Sequence, residues 1–326
     1  MDASEYRRRY EEELAQASAR QVSFRELLDS SRPSSLEGGA MSVRPRAEGE
    51  DDDLAAAVAV LGDRNAAPEL RAAAGQVISL DIESDPDVID RLLELLGDAT
   101  RPVDVRLEVL NLLQAISFRL PLFPAKRTAY LETLRSIIED PDAGLRRRVI
   151  GILSREKDEY VQRRLMDGLQ GRDRALVPAA KAVQFLGYDV HADHFPMLRE
   201  IIQRPPSQAA KKEAVRLLAA DPSSADLLLT ILQDKQERPD VRRLAAVALQ
   251  SIRPEAFEEQ ARRIIMDDDE DDHLRAMSVT ALANFAESGA LAQDRELTER
   301  VGQLREETSS RQLKQATAGF IAKQER

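Results

Sequence analysis

RPDVRRLAAVALQSI, residues 238–252, decides the fold, because its frame recurs along the chain. Echoes stand at NAAPELRAAAGQVISL (65–80), RPVDVRLEVLNLLQAI (101–116) and DPDAGLRRRVIGIL (140–153). With Arg242 as anchor, the equivalent positions are Arg71, Arg106, Arg146, Leu176, Lys211, Arg275 and Lys314, spaced 30 to 40 residues apart. A period of that size marks stacked supersecondary units, each too small to bury its apolar face alone.

The columns around the anchor give the unit its structure. The residue before it is apolar in every copy: Leu70, Val105, Leu145, Ala175, Ala210, Val241, Leu274 and Leu313. Three residues after it, side chains are small or short, from Ala74, Val109 and Val149 to Ala245, Ser278 and Thr317. Six and seven after it stand pairs such as Ile152/Leu153 and Ala248/Leu249. Counted from the first column, these offsets are i, i+4, i+7 and i+8, the buried stripe of a packed helix, whereas a strand needs a period of two. A second set of amphipathic stretches lies between them, including residues 87–98, 128–140, 158–171, 225–234 and 257–267. Each repeat therefore reads as a helical hairpin. Pro68, Pro102, Pro141 and Pro239 stand where a missing N–H costs least, and Asp81, Asp85, Asp193 and Asp221 are expected N-caps.

A turn acid, a Val/Leu-Arg pair and an Ala-rich second helix resemble the HEAT-like repeats, especially the short variety of the phycobilisome lyases. The resemblance covers residues 51–326 and implies an all-α, right-handed α-solenoid, a superhelix of about eight hairpins. It also implies that the residue six before each anchor bonds a ladder of arginines. Those residues are Asn65, Thr100, Asp140, Asp269 and Thr308, with Gln170, Pro205 and Gln236 departing from the pattern. The ladder is expected to break near the middle, where Leu176 and Pro178 also weaken the fourth repeat. A softer joint is expected there.

Ahead of the solenoid, residues 1–30 read as a helical segment, with Tyr6, Tyr10 and Leu14 on one face and a capping box from Ser23 to Glu26. Residues 31–50 are rich in Ser, Pro, Gly and charge and read as a flexible linker. The segment either caps the first repeat or is tethered for a partner.

Composition narrows the chemistry. The 326 residues contain no Cys, which removes disulfides, thiolate metal sites and cysteine nucleophiles. The longest apolar run, LAAAVAVL (54–61), is far too short to span a membrane, and MDASEYRRRYEEE lacks the apolar centre of a signal peptide, so a soluble, cytoplasmic protein is expected. His191, Asp193 and His194 supply too few ligands for a closed metal site. The acidic run 267–272 fails calcium-loop spacing, with Asp272 where Gly is needed and Ser278 where Glu is needed. The phosphate-loop, dinucleotide and nucleophile-elbow patterns are absent. Two HEAT-like enzyme groups also fail on residues: deoxyhypusine hydroxylase carries His-Glu dipeptides, absent here, and the alkylpurine DNA glycosylases use a basic, Trp-containing face, whereas this chain has no Trp. The expectation is a chain that is not an enzyme and uses no cofactor or metal.

What remains is a scaffold or adaptor binding protein through its concave groove. One residue after the anchor, Arg147, Lys212 and Arg243 put cations in one column. The regional net charges are −10 for residues 1–140, +5 for 141–220 and −6 for 221–326, so a basic middle is expected to steer an acidic peptide. The overall net charge of −11 argues against nucleic acid, though the basic central repeats keep it as an alternative, as does a chaperone-lyase of the phycobilisome type. A second candidate surface is the apolar connection 117–124, with Phe118, Leu120, Leu122 and Phe123, which either meets a partner or folds back over its own helix ends.

Overall fold

The structure is a computed structural model. It describes residues 50–324 except 64, 82–86, 120–122, 190–192 and 286–293, so the expected segment 1–30 and all but Glu50 of the expected linker 31–50 lie outside the described residues. Every long element among the described residues is an α-helix. No described helix is long and apolar enough to cross a membrane.

The chain divides into two compact units, Met1–Leu153 and Ser154–Arg326. The first contains α1 (Glu50–Gly62), α2 (Pro68–Asp81), α3 (Asp87–Gly97), α4 (Val103–Arg119), α5 (Phe123–Ser136) and α6 (Ala143–Arg155), whose last two residues cross the division. The second contains α7 (Glu159–Leu169), α8 (Ala179–Leu186), α9 (Phe195–Gln203), α10 (Gln208–Leu217), α11 (Ala225–Gln233), α12 (Pro239–Ile252), α13 (Pro254–Met266), α14 (Asp272–Phe285), α15 (Arg295–Glu307) and α16 (Arg311–Gln324).

Packing in each unit runs between sequence neighbours. In the first, α1 packs on α2 and α3, α2 on α4, and α3 on α4 and α5. In the second, α8, α10, α12, α14 and α16 pack in succession, each also meeting its own hairpin partner. Second helices line up on second helices, which is the connectivity of an α-solenoid.

The sequence columns account for the core. Val105, Leu145, Ala210, Val241, Leu274 and Leu313, one before the anchor, are wholly buried, as are Ala74, Val109, Val149, Ala214, Ala245, Ser278 and Thr317 three after it. In these repeats the anchor is the fourth residue of its helix, as Arg106 is in α4 and Arg242 in α12. The fourth repeat departs. Pro178 is the N-cap of α8, the helix starts only at Ala179, and it runs for 8 residues. A residue before proline is pushed out of the α region, so Leu176 and Val177 precede the helix, although both are buried.

The caps differ in part from expectation. Asp221 accepts from the Ser223 N–H at 3.2 Å, as an N-cap should. Asp81 instead ends α2, Asp85 lies outside the described residues, and His194, not Asp193, is the N-cap of α9. Asp158, Ser207 and Asp294 cap α7, α10 and α15 by accepting from Val161, Ala210 and Leu297.

Candidate partner-binding face

The anchor cations sit at the base of the second helices, where they meet the turn of the next repeat. Arg106 donates through Nε to the Leu96 carbonyl at 2.9 Å and through a terminal nitrogen to Asp140 at 2.6 Å, both side chains being 3% exposed. Arg242 repeats the geometry, with Nε on the Leu232 carbonyl at 2.9 Å and a two-pronged pair with Glu270 at 2.7 Å on each prong. The expected ladder residue Asp269 is thus displaced by its neighbour. Arg71 pairs with Asp104 at 2.8 Å rather than with Thr100, and Lys211 pairs with Glu237. Leu176 has no charge to offer, so the ladder is interrupted at the fourth repeat.

Five of the six acids in the run 267–272 are likewise paired. Asp267 pairs with Lys235 at 2.6 Å, Asp268 with Arg300, Glu270 with Arg242, Asp271 with Arg243 at 3.2 Å and Asp272 with Arg275 at 3.1 Å. The hydrogen bond from Lys235 holds the Asp267 carboxyl below its ordinary range. Among the described residues, no group of three or more His, Cys, Asp and Glu is placed to hold a metal ion.

The same economy takes two of the three cations of the expected column. Lys212 pairs with Asp240 at 2.9 Å and Arg243 with Asp271, each acid belonging to the following repeat. Hydrogen bonding by Lys212, with a second contribution from Arg238, holds the Asp240 carboxyl down at about 2. Lys212 and Arg243 are therefore partly buried internal pairs rather than free guides for an acidic peptide. Arg147 belongs to the first unit, is exposed and makes no ion pair with a described residue.

The ends of the expected apolar connection are helical. Phe118 belongs to α4 and Phe123 opens α5, while Leu120 and Leu122 lie outside the described residues.

A different surface emerges on the second-helix face of the second unit. Five residues after the anchor, Arg216, Val247, Thr280 and Gly319 are all exposed, Val247 to 48%. Between α14 and α16 this face opens into a cavity of about 360 Å³. Its walls carry Thr280, Asn284, Gln312 and Gln315, and its floor is Ala283, Ala316 and Gly319. Lys323 also borders it, its ammonium held by the Ala283 carbonyl. The side-chain amides of Asn284, Gln312 and Gln315 make no hydrogen bond with described residues, so their donors and acceptors face the opening. Small floor residues admit a main chain closely. The column five after the anchor is charged only at Lys181 and Arg216, so nothing in it set this groove apart from the first three repeats.

No protein-family model matches the chain, and no curated protein does. Among solved structures, human deoxyhypusine hydroxylase in complex with glycerol is 15% identical, with a TM-score of 0.33, covering 73% of this chain and 96% of that one. The complex of CpcE and CpcF of phycocyanin lyase from Nostoc is 17% identical, with a TM-score of 0.28, covering 89% of this chain and 99% of that one. Both names are those of enzymes, against the expectation of a chain that is not one, and at these identities the likeness is one of fold alone. The chain is a helical-repeat protein.

Proposed function

We propose that this is a HEAT-like repeat protein that binds another protein, laying an extended segment of it along the second-helix face of the second unit. The observation that carries this reading is the groove between α14 and α16, where the amides of Asn284, Gln312 and Gln315 make no hydrogen bond with described residues and stand beside Ala283, Ala316 and Gly319. A carboxamide offers a donor and an acceptor together, which matches the N–H and C=O that an extended backbone presents at every residue. Buried charges ask for a charged partner; this groove asks for a main chain. An acidic peptide drawn by Lys212 and Arg243 would first have to displace Asp240 and Asp271.

Gly319 provides the test. A Cβ added there meets nothing within 4 Å, so a larger side chain projects into the groove without disturbing the core. Glycine inside a helix costs about 1 kcal/mol relative to alanine, so Gly319→Leu should hold or raise the melting temperature. Affinity capture from native lysate should lose its recovered proteins with Gly319→Leu and keep them with Glu299→Leu, a change at an exposed position of the first helix α15. Identical recovery by the Gly319→Leu variant and the parent would end the reading.

A further inference from the structure

α8 departs from the repeat frame, yet burial gives it the same exposed face as its neighbours. Gln184 is exposed between the buried pairs Ala182/Val183 and Phe185/Leu186. Val247 stands likewise between Ala245/Ala246 and Ala248/Leu249, and Thr280 between Ser278/Val279 and Ala281/Leu282. Gln184, and not the Lys181 that counting from Leu176 selects, therefore continues the exposed column of Arg216, Val247, Thr280 and Gly319. Because α8, α10, α12, α14 and α16 pack in succession, the column is one continuous face. Second helices about 8–10 Å apart make it about 32–40 Å long, the span of roughly ten to twelve extended residues.

The face changes character along that length. At α14 and α16 the walls are neutral, and the Lys323 ammonium is held by the Ala283 carbonyl. At α12 Val247 is bare while Arg243 is paired with Asp271, and at α10 Arg216 is paired with Glu213 at 2.7 Å. α8 differs. Lys181, Gln184 and Tyr188 follow at i, i+3 and i+7, one stripe of a helix, and the Tyr188 N–H still bonds back to the Phe185 carbonyl at 3.2 Å. Tyr188 is 40% exposed, with its ring centre 6.1 Å from that of Phe185. The Arg155 guanidinium is 5.9 Å from the Tyr188 ring centre and the Lys181 ammonium 5.3 Å from that of Phe185. Lys181 also donates to the neutral amide of Gln184 at 2.8 Å. Neither cation forms an ion pair with a described residue. Asp189, next in the chain, is engaged elsewhere, accepting from Gln162 at 3.1 Å and pairing with Lys157 at 3.6 Å. A ring quadrupole holds a cation in place but carries no net charge, so this end of the face keeps its positive charge.

We infer that the protein segment laid along this face is uncharged where it crosses α12, α14 and α16 and acidic at the end that crosses α8, where its carboxylates meet Lys181 and Arg155. This rests on the reading that the face takes an extended segment, and adds the partner's charge pattern to it. The charge match fixes the register of the segment more than it adds affinity, because exposed pairs are worth little while a reversed segment would leave carboxylates over a neutral groove.

Random dodecapeptides displayed on phage and panned against the full chain test this. Enriched sequences should gather Asp and Glu at one end and uncharged residues at the other. Panning against Arg155→Glu with Lys181→Glu should lose the acidic bias and keep the uncharged half, whereas Gly319→Leu should lose the preference in the uncharged half. For the leading peptide, made synthetically, Asn or Gln in place of its acids should weaken binding to the parent about two- to thirtyfold, the value of two exposed charge pairs, and leave binding to the charge-reversed variant unchanged. Failure of any peptide to enrich would end the reading of this face as a binding surface, and the inference with it. Enriched peptides without an acidic bias, or acids whose replacement costs parent and variant alike, would overturn the inference alone and leave the groove at Gly319 standing. The peptide arm uses the unaltered protein, so misfolding of a variant cannot rescue it.

Discussion

Replacing Glu270 by alanine is the sharpest test of how the repeats are joined. The Arg242 and Glu270 side chains are 7% and 4% exposed, and two N–H groups of the guanidinium reach the carboxylate at 2.7 Å each. Nε keeps its bond to the Leu232 carbonyl, so alanine leaves a buried cation with two of its three bonded N–H groups unanswered. Removing one member of such a pair costs about 3–5 kcal/mol, because the remaining charge stays desolvated. The contrast is Asp226→Ala, whose partner Arg253 is 2.7 Å away in water, with side chains 39% and 86% exposed. That loss should be about 0.2–1 kcal/mol. Glu270→Gln keeps the shape and one acceptor and should fall between them. Replacing both partners together, Arg242→Met with Glu270→Leu, should recover most of the loss, since an apolar pair of similar volume carries no desolvation cost. Urea unfolding followed by far-ultraviolet dichroism gives the ranking, and amide exchange in α12 and α14 localises it. If Glu270→Ala destabilises no more than Asp226→Ala, the buried pair does not hold these repeats together.

Leu113 and Leu249 are wholly buried seven residues after their anchors, so alanine at either should cost about 2–5 kcal/mol through lost burial and cavity formation, seen as a lowered unfolding midpoint. An unchanged midpoint would mean that the column is not the core. Asp240 supplies a pH test at the expected partner column. Its carboxyl titrates at about 2 in the fold against an ordinary 3.8, so its stabilising contribution is full above pH 3.8 and is lost as the pH falls through 2. The parent should lose more stability across that interval than Lys212→Met, which has less of the interaction to lose. Parallel pH profiles would show that Lys212 does not hold Asp240.

The apolar columns were legible because burial acts at every repeat with the period of the helix, and one register satisfies Val105, Leu145, Val241, Leu274 and Leu313 alike. Polar partners were less legible, because they are chosen by turn geometry. Asp269 and Glu270 differ by one residue, yet only Glu270 faces Arg242, while the Asp269 N–H turns back to Asp267 at 3.0 Å. Leu176 was misplaced as a helical anchor because alignment counts residues, whereas Pro178 decides where α8 starts. Lys212 and Arg243 looked free because their acids lie a whole repeat away, beyond the reach of any single-helix pattern. The groove at Thr280 and Gly319 escaped notice for the opposite reason: small uncharged residues give no signal until two helices bring them side by side.

The ion pairs have a direction that bears on recognition. In Arg71–Asp104, Arg106–Asp140, Lys211–Glu237, Arg242–Glu270 and Arg262–Asp294 the cation belongs to the earlier repeat and the acid to the next. Lys126–Asp90, Arg253–Asp226 and Arg300–Asp268 run the other way, each through an exposed acid, so the polarity belongs to those five pairs and not to every pair between repeats. Where the fourth anchor is Leu176 this polarity lapses, and the division at Leu153 and Ser154 falls in the same interval. Arg146, the last anchor before it, donates to the Asp140 and Pro141 carbonyls of its own turn. Cations of the ladder are consumed in ordering repeats, so a count of charge along this sequence overstates what is left for a partner.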